Sequence, residues 1–231
     1  MRNYCAGSYS GAVCVASRSM LMTGRYWHRI EDTKNWEGMP TLPERLGESG
    51  YRTFAVGKWH NGLQTLARSF QSGKNIYMGG MADHTKVPLQ ELKPDGTLTE
   101  KKIGTRFSST HFADAAIDFI EDQSDDQPYM LYVAFTAPHD PRNPPPSYRQ
   151  LYYENRPPLP ENFLPDHPFD NGHVSGKKRD EGLAAHPRER NVVSDQLCEY
   201  YGLITQLDSQ VGRILDAIET SSDRDNTIVI Y

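Results

Sequence analysis

Cysteine is scarce: the chain has three in 231 residues. An odd set leaves no disulfide framework to organise the fold and fixes no compartment. Long apolar runs are missing as well. No stretch approaches the roughly 20 consecutive apolar residues that cross a bilayer, and no charged-then-apolar leader opens the chain, so no membrane span is expected. Clusters of positive charge are equally rare. The formal net charge is −5, and the one compact cationic run, "GKKRD" at 176–180, reads as a solvated loop, so no nucleic-acid partner is expected. Internal repeats and low-complexity tracts are absent. What is present, 37% hydrophobic and 24% charged residues, suffices for one substantial core or for part of a larger domain.

Helix and strand signals alternate. "TLPERLGESG" (41–50) has Thr41 and Glu44 at capping-box spacing and Gly50 as a stop, which predicts a short helix. "YRTFAV" (51–56) predicts a strand leading into "GKWH". In "STHFADAAIDFIED" (109–122), Phe112, Ala115, Ala116, Phe119 and Ile120 share one helical face. "PYMLYVAF" (128–135) is a continuous apolar run of the kind buried on both faces in a parallel sheet. From Glu189 to about Thr220, Val193, Leu197, Tyr201, Ile204, Leu207, Val211, Ile214 and Ile218 recur at helical spacing, predicting a long amphipathic helix. "NTIVIY" (226–231) would be the strand it feeds.

The alternation predicts an α/β fold with a largely parallel central sheet flanked by helices. Residues 63–107 read as a loop or hairpin excursion, and the proline-rich 138–188 as a long ordered loop. Both ends read as cut, with no strand ahead of Cys14 and a strand stopping at Tyr231. The expectation is a partial N-terminal catalytic α/β domain over 1–231, with the rest of the domain absent.

"CVASRSMLMTGR" (14–25) can form a helix from Cys14 to Thr23, ended by Gly24. Neither Cys5 nor Cys198 stands out as a disulfide partner for Cys14. Arg18, four residues on, shares its face, and the free N–H groups of the helix start favour an anion there. A half-buried cysteine with a surface arginine accounts for the stretch equally well. In "GYRTFAVGKWH" (50–60), Lys58 and His60 lie two apart at a strand's carboxyl end and point the same way, where open α/β sheets bind ligands. Together they can hold a tetrahedral anion and move a proton, although either alone is ordinarily an exposed loop residue. "YMLYVAF" runs into "TAPHDP" (136–141), which places His139 just past another carboxyl end between prolines. That suits a general acid, or a hydrogen-bonded loop residue. His28, His84, His111, His167, His173 and His186 lack such placement and read as structural or exposed. Tyr148, Tyr152 and Tyr153 suit a sugar platform or packing.

Taken together, "CVASR" with "MLMTGR" resembles the first signature of the formylglycine-dependent sulfatases of the alkaline-phosphatase-like superfamily. "GYRTFAVGKWH" is similar to their second signature, and "APHDP" to their strand-end histidine segment. Ala16 stands where proline is commoner. The resemblance runs in order along nearly the whole chain. It implies that Cys14 is oxidised to Cα-formylglycine by a formylglycine-generating enzyme or an anaerobic sulfatase-maturating enzyme. The hydrated aldehyde attacks the sulfur of a sulfate ester, expels the alcohol and releases sulfate by elimination.

By position, Arg18 would support the nucleophile electrostatically, and Lys58 would bridge it to a sulfate oxygen. His60 would be the base for elimination, while His139 would bind sulfate and protonate the leaving alcohol. The family's divalent cation, usually calcium, is held by residues whose counterparts fall outside this sequence. No metal ligands are assigned within it, and the chain alone is expected to be inactive. The resemblance also implies a sulfated small molecule or glycan as substrate and a periplasmic or secreted location. A phosphonate or phosphodiester hydrolase of the same superfamily, a glycan-binding pseudoenzyme and a Cys14–His139 thiol hydrolase are the competing readings.

Overall fold

The computed structural model describes residues 13–123, 127–169 and 184–231. Cys5, His173 and the "GKKRD" run lie outside the described residues. Two compact units emerge, one running to Pro141 and including Ser209–Tyr231, the other Arg142–Asp208.

The first unit is built around five strands: β1 (Arg52–Lys58), β2 (Ser72–Tyr77), β3 (Pro88–Leu92), β4 (Lys102–Ile103) and β5 (Tyr129–Ala134). Their order is β4-β3-β2-β1-β5. β1 pairs in parallel with both β2 and β5, while β3 and β4 extend the sheet antiparallel. The register sets Gly57 beside Ala134 and Lys58 beside Tyr77. The carboxyl ends of all three parallel strands therefore finish on one edge. Gly57 is required there: its φ is +88°, and a Cβ would run into the Ala134 carbonyl.

Strand alternation divides the core. Ala55 joins Trp36, Trp59, Leu66, Phe70 and Ile76 in one cluster. Val56 joins Phe112, Ala115, Tyr77, Val87 and Leu89 in the other. The helices of this unit are α1 (Cys14–Thr23), α2 (Leu42–Glu48), α3 (Leu63–Ser69) and α4 (Ser108–Glu121). α2 opens with the predicted capping box, Glu44 N–H donating to Thr41 Oγ1 and Thr41 N–H to Glu44 Oε2. α4 buries the predicted face, including Phe112, Ala116 and Ile120. A fully buried phenylalanine contributes about 1.5–3 kcal/mol.

Several expectations are corrected. The 63–107 excursion keeps its hairpin alternative, β3 pairing antiparallel with β4, but it also contains α3 and β2, with Ala67 and Leu98 packing at the rim of the first cluster. β5 is half-buried and sits at the sheet's edge among the described residues. Among the described residues "NTIVIY" joins no ladder. Its Asn226 closes a short 3-10 turn, Arg224–Asn226, and Ile228, Ile230 and Tyr231 stand exposed. Residues 138–188 include α5 (Pro146–Glu154).

α6 (Arg190–Thr220) confirms the long helix. In the first unit its Ile214 and Ile218 pack with Ala113, Ala116 and Ile120 of α4. In the second, Cys198, Leu203 and Gln206 lie deepest while Tyr201 is exposed, so the buried stripe is rotated from the predicted one. Gly202 explains the rotation. Pro144 and the Arg149 backbone crowd it so closely that a Cβ would come within 3.1 Å of Pro144 Cγ. Tyr152 and Tyr153 face α6, the first meeting Thr205 Oγ1 at 2.7 Å and the second donating to Glu199 at 3.0 Å. For these two tyrosines the packing reading holds.

Candidate functional site

α1 begins at Cys14 with Val13 as an N-cap that supplies no side-chain hydrogen bond. Gly24 ends it in the left-handed region at φ 64°, donating to Met20 O. The amide of Asn61 hangs this helix on the end of β1. Its Nδ2 lies 3.0 Å from Val15 O, 2.9 Å from Ser19 Oγ and 2.8 Å from Thr33 O. The helix start is thereby brought to the residue preceding Asn61, and Cys14 Sγ sits 2.9 Å from His60 Nδ1.

Lys58, Trp59 and His60 alternate as the sequence predicts. Trp59 turns into the core at 1% exposure, in edge contact with Trp36, Phe70 and Tyr132. Lys58 and His60 turn the other way. Lys58 is buried and its Nζ donates to Gly80 O at 2.6 Å. Arg18 Nη1 donates to the Lys58 carbonyl at 2.9 Å and lies 2.7 Å from the Tyr132 hydroxyl. The guanidinium thus ties α1 to β1 and β5 while standing one helical turn from Cys14. Burial first, then the charges of Lys58, Arg18, Lys34 and His139, lowers the pKa of His60 below the ordinary 6.5. A neutral imidazole beside Cys14 is the form able to accept a proton.

His139 arrives from β5. Its N–H donates to Thr136 O at 3.1 Å, and its ring Nδ1 lies 3.2 Å from Asp140 O. Its charge reaches His60. Cys14, Arg18, Lys58, His60 and His139 therefore converge on the edge where the three parallel strands end. Cys14 pairs with His60 and not with His139, which removes the geometry of the thiol-hydrolase reading.

Other participants escaped the sequence reading. Gly80 fits against the His60 ring, where a Cβ would lie 2.5 Å from Cε1. His84, read as structural or exposed, is fully buried and bonded to the His139 carbonyl. Asn61 and Tyr132 complete the shell. Only Asn61 carried a signal, its adjacency to "GKWH"; the others meet the site through tertiary contacts that spacing does not encode. Among the described residues no group of three or more His, Cys, Asp or Glu side chains gathers to hold a metal ion. The residues described do not fit the oxygen-ligand set that calcium requires.

Comparison with known proteins shows the family and the fold. The sulfatase family model matches residues 5–231. An uncharacterised sulfatase of Schizosaccharomyces pombe is 28% identical, with 96% of this chain and 49% of the relative aligned. The arylsulfatase of Klebsiella aerogenes is 24% identical, over 96% of this chain and 56% of the relative. A solved structure of a protein in complex with its substrate D-glucosamine-2-N,6-O-disulfate shares the fold, with a TM-score of 0.66 at 17% identity, covering 92% of this chain and 53% of that one. The chain spans about half the length of the curated relatives it matches.

Proposed function

The chain belongs to the sulfatase family, and from that premise we propose that it carries the nucleophile end of a sulfuric ester hydrolase in which Cys14 is matured to formylglycine. The observation that carries the reading is the 2.9 Å approach of Cys14 Sγ to His60 Nδ1 at the carboxyl edge of the sheet. His60, kept neutral, accepts a proton from the group at position 14 in the elimination that frees sulfate. Lys58 sets an ammonium beside the sulfate oxygens, where fixed charge in a dry site is worth more than in water. Arg18 holds the helix start and the end of β1 in one piece and adds positive charge. His139 protonates the departing alcohol.

The substrate class we propose is a sulfated sugar. Support comes from the disulfated glucosamine bound to the fold relative described above. Arylsulfatase relatives make small aryl sulfates useful probes.

The test is mass spectrometry of the protein co-produced with a formylglycine-generating enzyme or with the anaerobic maturase. The tryptic peptide ending at Arg18 carries both Cys5 and Cys14, so fragmentation must locate the change. A loss of about 18 Da at Cys14, the thiol-to-aldehyde conversion of an activated nucleophile, is the expected result. Unchanged Cys14 under both systems would remove the catalytic reading and leave an anion-binding domain.

A further inference from the structure

The stretch between β2 and β3 belongs to neither sequence signature, yet it touches the site in two places. Tyr77 ends β2, and its hydroxyl donates to Met81 O at 2.6 Å, closing a turn over Met78–Met81. Gly79 must be glycine for that bond, since a Cβ would collide with the Tyr77 hydroxyl. The turn presents Gly80 to the catalytic edge. The Gly80 carbonyl accepts from Lys58 Nζ at 2.6 Å, and the bare Cα lets the His60 ring close to a distance no side chain would allow.

Four residues further on, His84 is buried completely. Its Nε2 meets the His139 carbonyl at 2.9 Å. A carbonyl only accepts, so Nε2 carries the proton and Nδ1 is the acceptor. Nδ1 lies 3.0 Å from Ser108 Oγ and 3.1 Å from Thr136 Oγ1, with the two hydroxyls 2.8 Å apart. One hydroxyl donates to Nδ1 and the other donates to the first, so the network is satisfied. The Ser108 N–H donates to the His84 carbonyl at 2.7 Å and fixes the backbone on the other side. Burial lowers the pKa of His84, against the opposing pull of the His139 carbonyl, so the neutral tautomer that this geometry needs is the one present.

We propose that residues 79–84 are the positioning element of the site: Gly80 sets Lys58 and His60, and His84 sets His139. The element acts through backbone placement and touches no reacting atom. The inference rests on the sulfatase reading only in taking sulfate as the ligand these side chains share. Its physical basis is that three parallel strands end together, and β2 contributes its following loop to hold what β1 and β5 deliver.

The test follows the ring protons of His60 and His139 by NMR during pH titration and during titration with inorganic sulfate. Variants are Gly80→Ala, His84→Gln and His84→Asn. Glutamine places an amide N–H near the position of Nε2, whereas asparagine reaches only as far as Nδ1. The expected result for His84→Asn is a displacement of the His139 ring resonances larger than that of His60, with sulfate affinity lower by about tenfold, the upper scale of one lost hydrogen bond. His84→Gln should restore most of that affinity, since it keeps the donor. Gly80→Ala should do the reverse, moving the His60 resonances more than those of His139.

Thermal midpoints are measured for each variant. If His84→Asn does not fold, Thr136→Val reads the same His139 response by removing one hydroxyl from the ring around Nδ1. The proposal is overturned if His84→Gln and His84→Asn behave alike, or if every variant perturbs both histidines equally. Absence of any sulfate response in the wild type would sink the sulfatase reading instead. The pH titrations of the variants would then still decide the positioning role.

Discussion

At the residue scale, the site is defined by how cations and imidazoles are kept in low-dielectric surroundings. His60 and His84 are both held below the ordinary histidine value, by burial foremost. The unfolded chain therefore binds their protons first. Their contribution to stability is full above about pH 6.5 and is lost as pH falls from there through the folded values. The urea midpoint should decline between pH 7 and pH 5, and His84→Gln should make the decline shallower. A flat profile in that window would contradict both lowered pKa values. His111, also held low by burial, adds to the same decline, whereas Glu44, lowered despite burial by Arg68 and Thr41 hydrogen bonds, acts only below its ordinary 4.5. Gly57 supplies a second residue-scale prediction. Gly57→Ala must adopt φ +88° and enter the Ala134 carbonyl. It should destabilise by at least about 2 kcal/mol in urea unfolding, from backbone strain and overpacking together.

At the element scale, α1 is carried by what it touches. Its outer face leaves Leu21 exposed at 61%, so docking depends on a few inward contacts: the buried Ala16, Ser19 and Met22, and the amide of Asn61. Asn61→Ala should lower stability by about 1–3 kcal/mol, the penalty for leaving buried acceptors unpaired. It should also free Cys14 from His60, and slower alkylation of Cys14 by iodoacetamide at constant pH would register the loss of that base. A weaker control is Thr41→Ala, which removes the α2 cap and should lower stability by about 1 kcal/mol without altering that alkylation rate.

These elements also mark what the sequence could and could not disclose. The capping box of α2, the glycine stop of α1 and the apolar period of α4 are local features, and all three formed as predicted. In residues 63–107 the hairpin was legible and β2 was not, because the mostly polar "SGKNIY" becomes a strand only by pairing with β1 and β3. Helix start and strand end brought Cys14, Arg18, Lys58, His60 and His139 forward only as candidates beside ordinary structural readings, and the resemblance to the sulfatase signatures singled them out. Gly80 and His84 were illegible, because their value lies in distances of 2.5 Å to His60 Cε1 and 2.9 Å to the His139 carbonyl. Such approaches between residues far apart in sequence leave no periodic trace.

At the scale of the whole molecule, the two edges of the sheet differ among the described residues. β4 and β3 cover the flank of β2, and β4 is only two residues long, a short edge that offers little to a second chain. β5 is different. It is a six-residue apolar edge with no strand beyond it among the described residues, and the same unit exposes Ile228 at 87%, Ile230 at 87% and Tyr231 fully. An unpaired β edge and an exposed β-branched segment are the two halves of an intermolecular pairing. The chain should therefore associate as concentration rises, and the formal charge of −5 gives only weak repulsion at physiological salt. Replacing Ile228 and Ile230 by lysine should abolish that association in sedimentation velocity without moving the thermal midpoint measured at low concentration, because neither side chain is buried. Unchanged association would place the contact on another surface. A fall in the midpoint would mean that the 228–231 segment packs in solution against the unit that carries it.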